Sequence, residues 1–175
     1  MSQQASGGIE GISPRISRRS TDVPRPGHRS ILVPVDDAEE CEQAVQWALK
    51  HVKKPGDRFC LFHIISTSQG AYSGVFTGHN KHQEQLQQDH AQSFINERFV
   101  SKLQAAEVEY EVEIIRGRTD TESVGEAVCN RAVDLCAALV VMAAHNRGTM
   151  VRFIIGSTTQ YCIEHCQKTV MVMHG

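Results

Sequence analysis

The stretch 138-ALVVMAAHNRGTMVRFIIGSTT-159 decides the reading of this chain. Residues 139–142 (LVVM) form an apolar run without alternation, the pattern of a short strand covered on both faces. The run stops at 143–148, where small and polar residues take over, and Gly156-Ser157 then opens a second turn leading into a helix. Backbone N–H groups of such a turn and of the helix start can hold an anion without a charged side chain. The same sequence also suits a plain helix-capping loop.

Outward from this stretch, strand and helix patterns alternate from Ser30 onward, as in βαβ units of a parallel sheet. SILVPV (30–35) reads as strand one and RFCLFHII (58–65) as strand two. Between them Cys41, Ala44, Val45, Ala48, Leu49 and Val52 fall on one helical face, and Pro55-Gly56-Asp57 closes the unit. Val108, Tyr110, Val112 and Ile114 alternate with Glu109, Glu111 and Glu113, which predicts a third strand at a sheet edge with one face in water. Val124, Ala127, Val128, Ala132 and Leu135 repeat at helical spacing before strand four, and TVMVM (169–173) makes a short fifth strand. Residues 66–82 lack periodicity and read as a long loop. A helix over 83–104 follows, with Leu86, Ala91, Phe94, Ile95, Phe99 and Leu103 as its apolar positions. In such sheets a ligand sits beyond the carboxyl ends of the strands where their order reverses, here between strands one and four.

The chain has 175 residues, 41% of them hydrophobic, and no apolar run near the ~18–20 residues needed to span a bilayer, so a soluble protein is expected. One domain over 30–175 follows a tail, 1–29, rich in Ser, Gly, Pro and Arg. The tail has no hydrophobic periodicity to offset the entropy of ordering and is expected to be disordered. Arg18-Arg19-Ser20-Thr21 resembles a basophilic kinase target, with Ser17 also nearby, and the Arg and Ser content suits a weak organelle transit peptide. A solvated leader with no address is the plainer reading. The net charge of −2 hides an asymmetry, because five arginines of the tail face only Glu10 and Asp22. The remainder is acidic, which argues against nucleic acid as a partner. Six cysteines (Cys41, Cys60, Cys129, Cys136, Cys162 and Cys166) show no regular framework and read as reduced, intracellular core thiols.

These motifs resemble the universal stress protein family, in particular its single-domain plant and algal form. ILVPVDDAEECEQAVQWALKHV is similar to that family's first strand and helix, GDRFCLFHII to its second strand, and RFIIGSTTQYCIEHC with TVMVM to its Gly-Ser turn, last helix and last strand. The likeness runs from Ser30 to Met173. It implies a three-layer, flavodoxin-like (Rossmann-like) α/β fold with a five-stranded parallel sheet in the order 3-2-1-4-5. It also implies a homodimer through the last strand (Val170, Met171, Val172, Met173). In one branch, ATP binds at the ends of strands one and four.

For this chain the resemblance implies a site for ATP or another adenine nucleotide built from Pro34, Val35, Asp36, Ile65, Met142, Ala143, His145, Asn146, Arg147, Gly148, Gly156, Ser157 and Thr158. The ATP-binding branch carries Gly, two residues, Gly, nine residues, then Gly followed by Ser or Thr. Aligned without gaps, Ala143 and Asn146 replace the first two glycines, while Gly156-Ser157 matches the last pair. Asn tolerates a left-handed backbone best among non-glycine residues, so Asn146 keeps the turn. Ala143 puts a methyl group where the backbone would approach the ligand. The expectation is a weakened nucleotide site.

Several residues have two readings. Asp36 either bonds a base or ribose or supports its own turn. Asp37, with Glu40 three positions on, reads as the cap of the first helix, and Glu39 and Glu42 as its solvated first turn. Arg147 and Arg152 either pair with phosphates or brace the loop, and His145 is either a ligand group or plain surface. Ser157 and Thr158 cap the last helix, hold a phosphate, or both. Cys162 and Cys166 beside His165 have a helical spacing that suits part of a metal site, but no second pair is present, and they read as small core residues; His79, His82 and His90 likewise lack partners. The functional expectation is a cytoplasmic stress-response sensor or scaffold, not a dedicated enzyme. The alternatives are a nucleotide-independent dimeric interaction protein and an adenylating enzyme of a related fold.

Overall fold

A computed structural model describes residues 27–67, 79–144 and 156–174, apart from the side chains of 79–81. The elements are β1 (Ser30–Pro34), α1 (Glu39–His51), β2 (Arg58–Ser66), α2 (His79–Ile95), a π-helical turn (Asn96–Val100), α3 (Ser101–Ala105), β3 (Glu109–Gly117), α4 (Thr121–Asp134), β4 (Leu139–Ala143), α5 (Ser157–His165) and β5 (Val170–Met173). The five strands form one parallel sheet in the order β3-β2-β1-β4-β5, the flavodoxin-like arrangement expected. Most of the expected tail, 1–26, lies outside the described residues, as do 145–155 with His145, Asn146, Arg147, Gly148 and Arg152.

Strand alternation divides the core into two layers. Ile31, Val33, Phe59, Leu61 and Val141 turn to one face, where Cys41, Ala44, Val45 and Ala48 of α1 meet Ile95, Phe99 and Leu103. Leu32, Cys60, Phe62, Val140 and Met142 turn to the other, under Val128 and Ala132 of α4 and Cys162 of α5. The central strands are apolar on both sides because both sides are covered.

Ala91, Ile95, Phe99 and Leu103 recur every four residues and are all buried. An α-helix turns once in about 3.6 residues, so that spacing drifts around the axis. The wider π turn at Asn96–Val100 absorbs the drift and keeps the row on the core. Leu86, expected on the same face, is instead 55% exposed.

Three further expectations are corrected. The carboxylates of β3 do not all face water: Glu111 is buried, with Arg58 Nη2 donating to it at 2.7 Å, and Arg131 forms a close ion pair with Glu113. Two arginines therefore line the face that alternation alone assigns to solvent. Asp37 does not cap α1. The cap position is Ala38, whose N–H donates to Asp36 Oδ1 at 3.0 Å, while Asp37 is exposed and its carbonyl accepts from Arg98. Cys136 is not a core thiol: it is exposed at the end of α4, with φ 46°. Its N–H donates to Val133 O, and that of Ala137 to Ala132 O, closing the helix by a left-handed residue.

The entry to β1 is tied down by a charged clamp. Asp57, 3% exposed, accepts from Arg29 Nε at 2.9 Å and Nη2 at 2.6 Å, and from the Lys54 N–H at 2.8 Å. The Asp57 hydrogen bond raises the Arg29 pKa, so the guanidinium stays charged.

Candidate functional site

The carboxyl ends of β1 and β4 border a cavity of about 510 Å³, within the range of small-molecule sites. Sheet order creates it. The connections from β1 and β4 lead to helices on opposite faces, so the chain parts between these two strands. Of the residues expected from the sequence, Pro34, Val35, Asp36, Met142, Ala143, Gly156, Ser157 and Thr158 line this cavity together. Ile65 instead lines a neighbouring depression of about 370 Å³ with His90 and Phe94.

At one end, the Asp36 carboxylate is held by its own turn. Oδ1 accepts from the Ala38 N–H at 3.0 Å and from the buried Cys41 thiol at 3.1 Å. Burial and the adjacent Asp36 charge push the Cys41 thiol well above its ordinary range, so it remains a donor. Turn support and ligand contact do not exclude each other, because a carboxylate offers about four lone-pair positions.

At the other end, α5 begins at Ser157 after Gly156, and no side chain caps it among the described residues. The first N–H groups of a helix lack intrahelical partners and carry partial positive charge. Thr121 Oγ1 and Ser157 Oγ lie 2.9 Å apart, joining the starts of α4 and α5 along this wall. Thr159, buried just behind, donates to the Ala143 carbonyl at 3.4 Å. Met142, Val124 and Val128 supply an apolar wall between the two polar ends.

Sequence reasoning missed the contribution of Thr119 in the β3–α4 connection, of Thr121 at the start of α4, and of His63. His63 Nδ1 sits 2.7 Å from the Val35 carbonyl. A carbonyl only accepts, so Nδ1 carries the hydrogen and the neutral ring keeps Nε2 as an acceptor. Burial lowers the His63 pKa, opposed by the Val35 bond and by the charges of Asp36 and Asp37. The available signal was register: His63 lies one residue beyond Phe62, the partner of Pro34.

The ends of this cavity suit different parts of a nucleotide. The helix start and paired hydroxyls suit phosphate, the apolar wall suits a flat base, and the carboxylate suits a ribose or base donor. Among the described residues, no group of His, Cys, Asp or Glu side chains is arranged to hold a metal ion.

A family model described as the Universal stress protein family matches residues 27–174. Universal stress protein PHOS32 of Arabidopsis thaliana is 26% identical over 83% of this chain, and PHOS34 of the same plant is 26% identical over 88%. The matches span 64% and 65% of those two proteins, so the chain corresponds to just under two thirds of their length. Among solved structures, hypothetical protein MJ0577 superposes with a TM-score of 0.68 at 18% identity, over 84% of this chain and 96% of that one. The Arabidopsis thaliana family protein At3g01520, solved with AMP bound, gives a TM-score of 0.57 at 16% identity, over 83% and 91%. At these identities the structural likeness shows the fold.

Proposed function

The chain belongs to the universal stress protein family, and from that premise we propose that it binds ATP or another adenine nucleotide in the β1/β4 crevice and acts as a stress-response sensor or scaffold. The observation that carries this reading is the convergence of Asp36, the apolar wall and the uncapped start of α5 on one cavity of about 510 Å³. The AMP complex of At3g01520, a protein of the same fold, supports it.

In this reading the N–H groups that open α5, with the Ser157 and Thr158 hydroxyls, receive phosphate oxygens. Thr121 orients the Ser157 hydroxyl. Asp36, fixed by Ala38 and Cys41, accepts from the ribose or base, and Met142 and Val124 exclude water from the base. His145, Asn146, Arg147 and Gly148 complete the phosphate end as a proposal from the sequence. The role is binding and not dedicated catalysis. Cytoplasmic residence is proposed with it, from the absence of a cysteine framework.

Homodimerisation through β5 is part of the same proposal. Among the described residues, Val170–Met173 is paired on one side only, by β4, and all four residues are half-buried. An edge of that kind is hidden when two copies meet across a two-fold axis.

A second reading, a nucleotide-independent dimeric interaction protein, draws on Ala143, which lines the crevice where the ATP-binding pattern has glycine. Calorimetric titration of the full chain with ATP, ADP and AMP decides between them. Saturable binding supports the first reading, and no heat up to millimolar nucleotide overturns it. Binding gained only in Ala143→Gly with Asn146→Gly establishes the second.

A further inference from the structure

We propose that Cys129 and Cys166 are a redox modification site, closing to an internal disulfide that joins α4 to α5 when a hydroperoxide is present. The two helices are in close contact at Gly125, where an added Cβ would lie 2.3 Å from Tyr161 Cδ1. At that level the Cys162 thiol donates to the Gly125 carbonyl at 3.8 Å. One helical turn further along each helix stand Cys129, four residues beyond Gly125, and Cys166, four beyond Cys162. The Cys166 N–H still bonds to the Cys162 carbonyl at 3.0 Å, which keeps Cys166 on the same face as it leaves α5. The Cys162 and Cys166 sulfurs both raise the Cys129 pKa, in keeping with this facing register.

Access separates the three sulfurs. Cys162 is fully buried, whereas Cys129 and Cys166 are half-buried at the margin of the same core layer. A small oxidant therefore reaches the Cys129 and Cys166 pair and not Cys162. A disulfide requires close, facing Cβ atoms, and the register set at Gly125 and Cys162 carries Cys129 and Cys166 to facing positions one turn along.

The chemistry balances with a hydroperoxide as the named oxidant. A Cys166 thiolate attacks the peroxide oxygen, giving a sulfenic acid and, with a proton, one alcohol or water. The Cys129 sulfur then attacks the sulfenic sulfur, forming the S–S bond and releasing water, with its proton going to the departing hydroxide. Two thiols are oxidised and one peroxide bond is reduced. Burial and the neighbouring sulfurs push Cys129 upward, and burial pushes Cys162 up to about 11. The resolving thiol is thus mostly protonated at neutral pH, so the pair responds to sustained oxidant and faster at higher pH.

The proposal is independent of nucleotide binding. The test treats the full chain, carrying Cys136→Gly to remove the exposed thiol, with millimolar hydrogen peroxide. Remaining thiols are then blocked with N-ethylmaleimide, and intact mass and tryptic peptides are read. The expected product is lighter by about 2 Da before blocking, as loss of two hydrogens requires, and links peptide 119–131 to peptide 153–168. Dithiothreitol reverses it. The link is expected to persist in Cys162→Ala and to vanish in Cys166→Ser. Stepwise oxygen addition with both thiols still unlinked, or a link that survives Cys166→Ser, overturns the proposal.

Discussion

Thr121 Oγ1 and Ser157 Oγ lie 2.9 Å apart, so residues 36 positions apart in the chain form one polar wall at the crevice. This pair places a hydroxyl-rich surface against the uncapped start of α5. A negative charge there is favourable to the helix and unfavourable to a second anion.

Ser157→Asp uses that opposition. The carboxylate stabilises the helix start by about 0.5 kcal/mol but repels phosphate, so nucleotide affinity is expected to fall at least about tenfold, roughly 1.4 kcal/mol. Thermal unfolding and calorimetry on the same variant separate the two effects. Unchanged affinity would place phosphate elsewhere.

Gly125→Ala is expected to destabilise the protein by about 1–3 kcal/mol despite the better helix propensity of Ala. Its methyl would press on the Tyr161 ring, so α4 and α5 must separate or the ring must turn. Adding Tyr161→Ala removes the obstruction, and denaturant midpoints of the single and double variants should show recovery.

Cys136→Gly is expected to raise stability by about 1 kcal/mol, because Cys136 holds a left-handed φ of 46° that glycine adopts without strain. Urea unfolding measures it. A loss of stability would mean that the cysteine side chain makes a contact worth more than the strain.

Alkaline pH should weaken the fold through its buried thiols. Burial pushes Cys60 up to about 12 and Cys162 up to about 11. A group whose folded pKa is raised contributes fully below its unfolded pKa, and the contribution is lost as pH rises through the folded value. Stability is therefore expected to fall between about pH 9 and 12, by up to about 1.4 kcal/mol per pH unit for each such thiol. Denaturant titrations at pH 8 and 10 should show a smaller loss in Cys60→Ala than in the parent.

The parallel sheet was legible because strands buried on both faces, such as LVVM at 139–142, cannot alternate, and because β3, which does alternate, lies at the edge. What escaped depended on partners distant in the chain. The solvent-like pattern of Glu111 and Glu113 conceals Arg58 and Arg131, which arrive from β2 and α4. The cap of α1 was misplaced by one residue: it falls on Ala38, which has no capping side chain, while the Asp36 carboxylate accepts from the Ala38 N–H within its own turn. Thr121 and His63 join the site through sheet order, which puts β2 beside β1 and β3 beside β2. By contrast Gly156 and Ser157 stood out because a Gly-Ser turn before a helix is a local mark, while Pro34, Asp36 and Met142 followed from the resemblance to the family.

The most direct test of nucleotide binding in this crevice is the amide chemical shift response of the full chain to ATP or AMP by heteronuclear NMR. The account predicts saturable shifts concentrated at Val35, Asp36, Ala143 and Gly156 to Thr159. No response at millimolar nucleotide, or a response confined to residues away from the ends of β1 and β4, would contradict it.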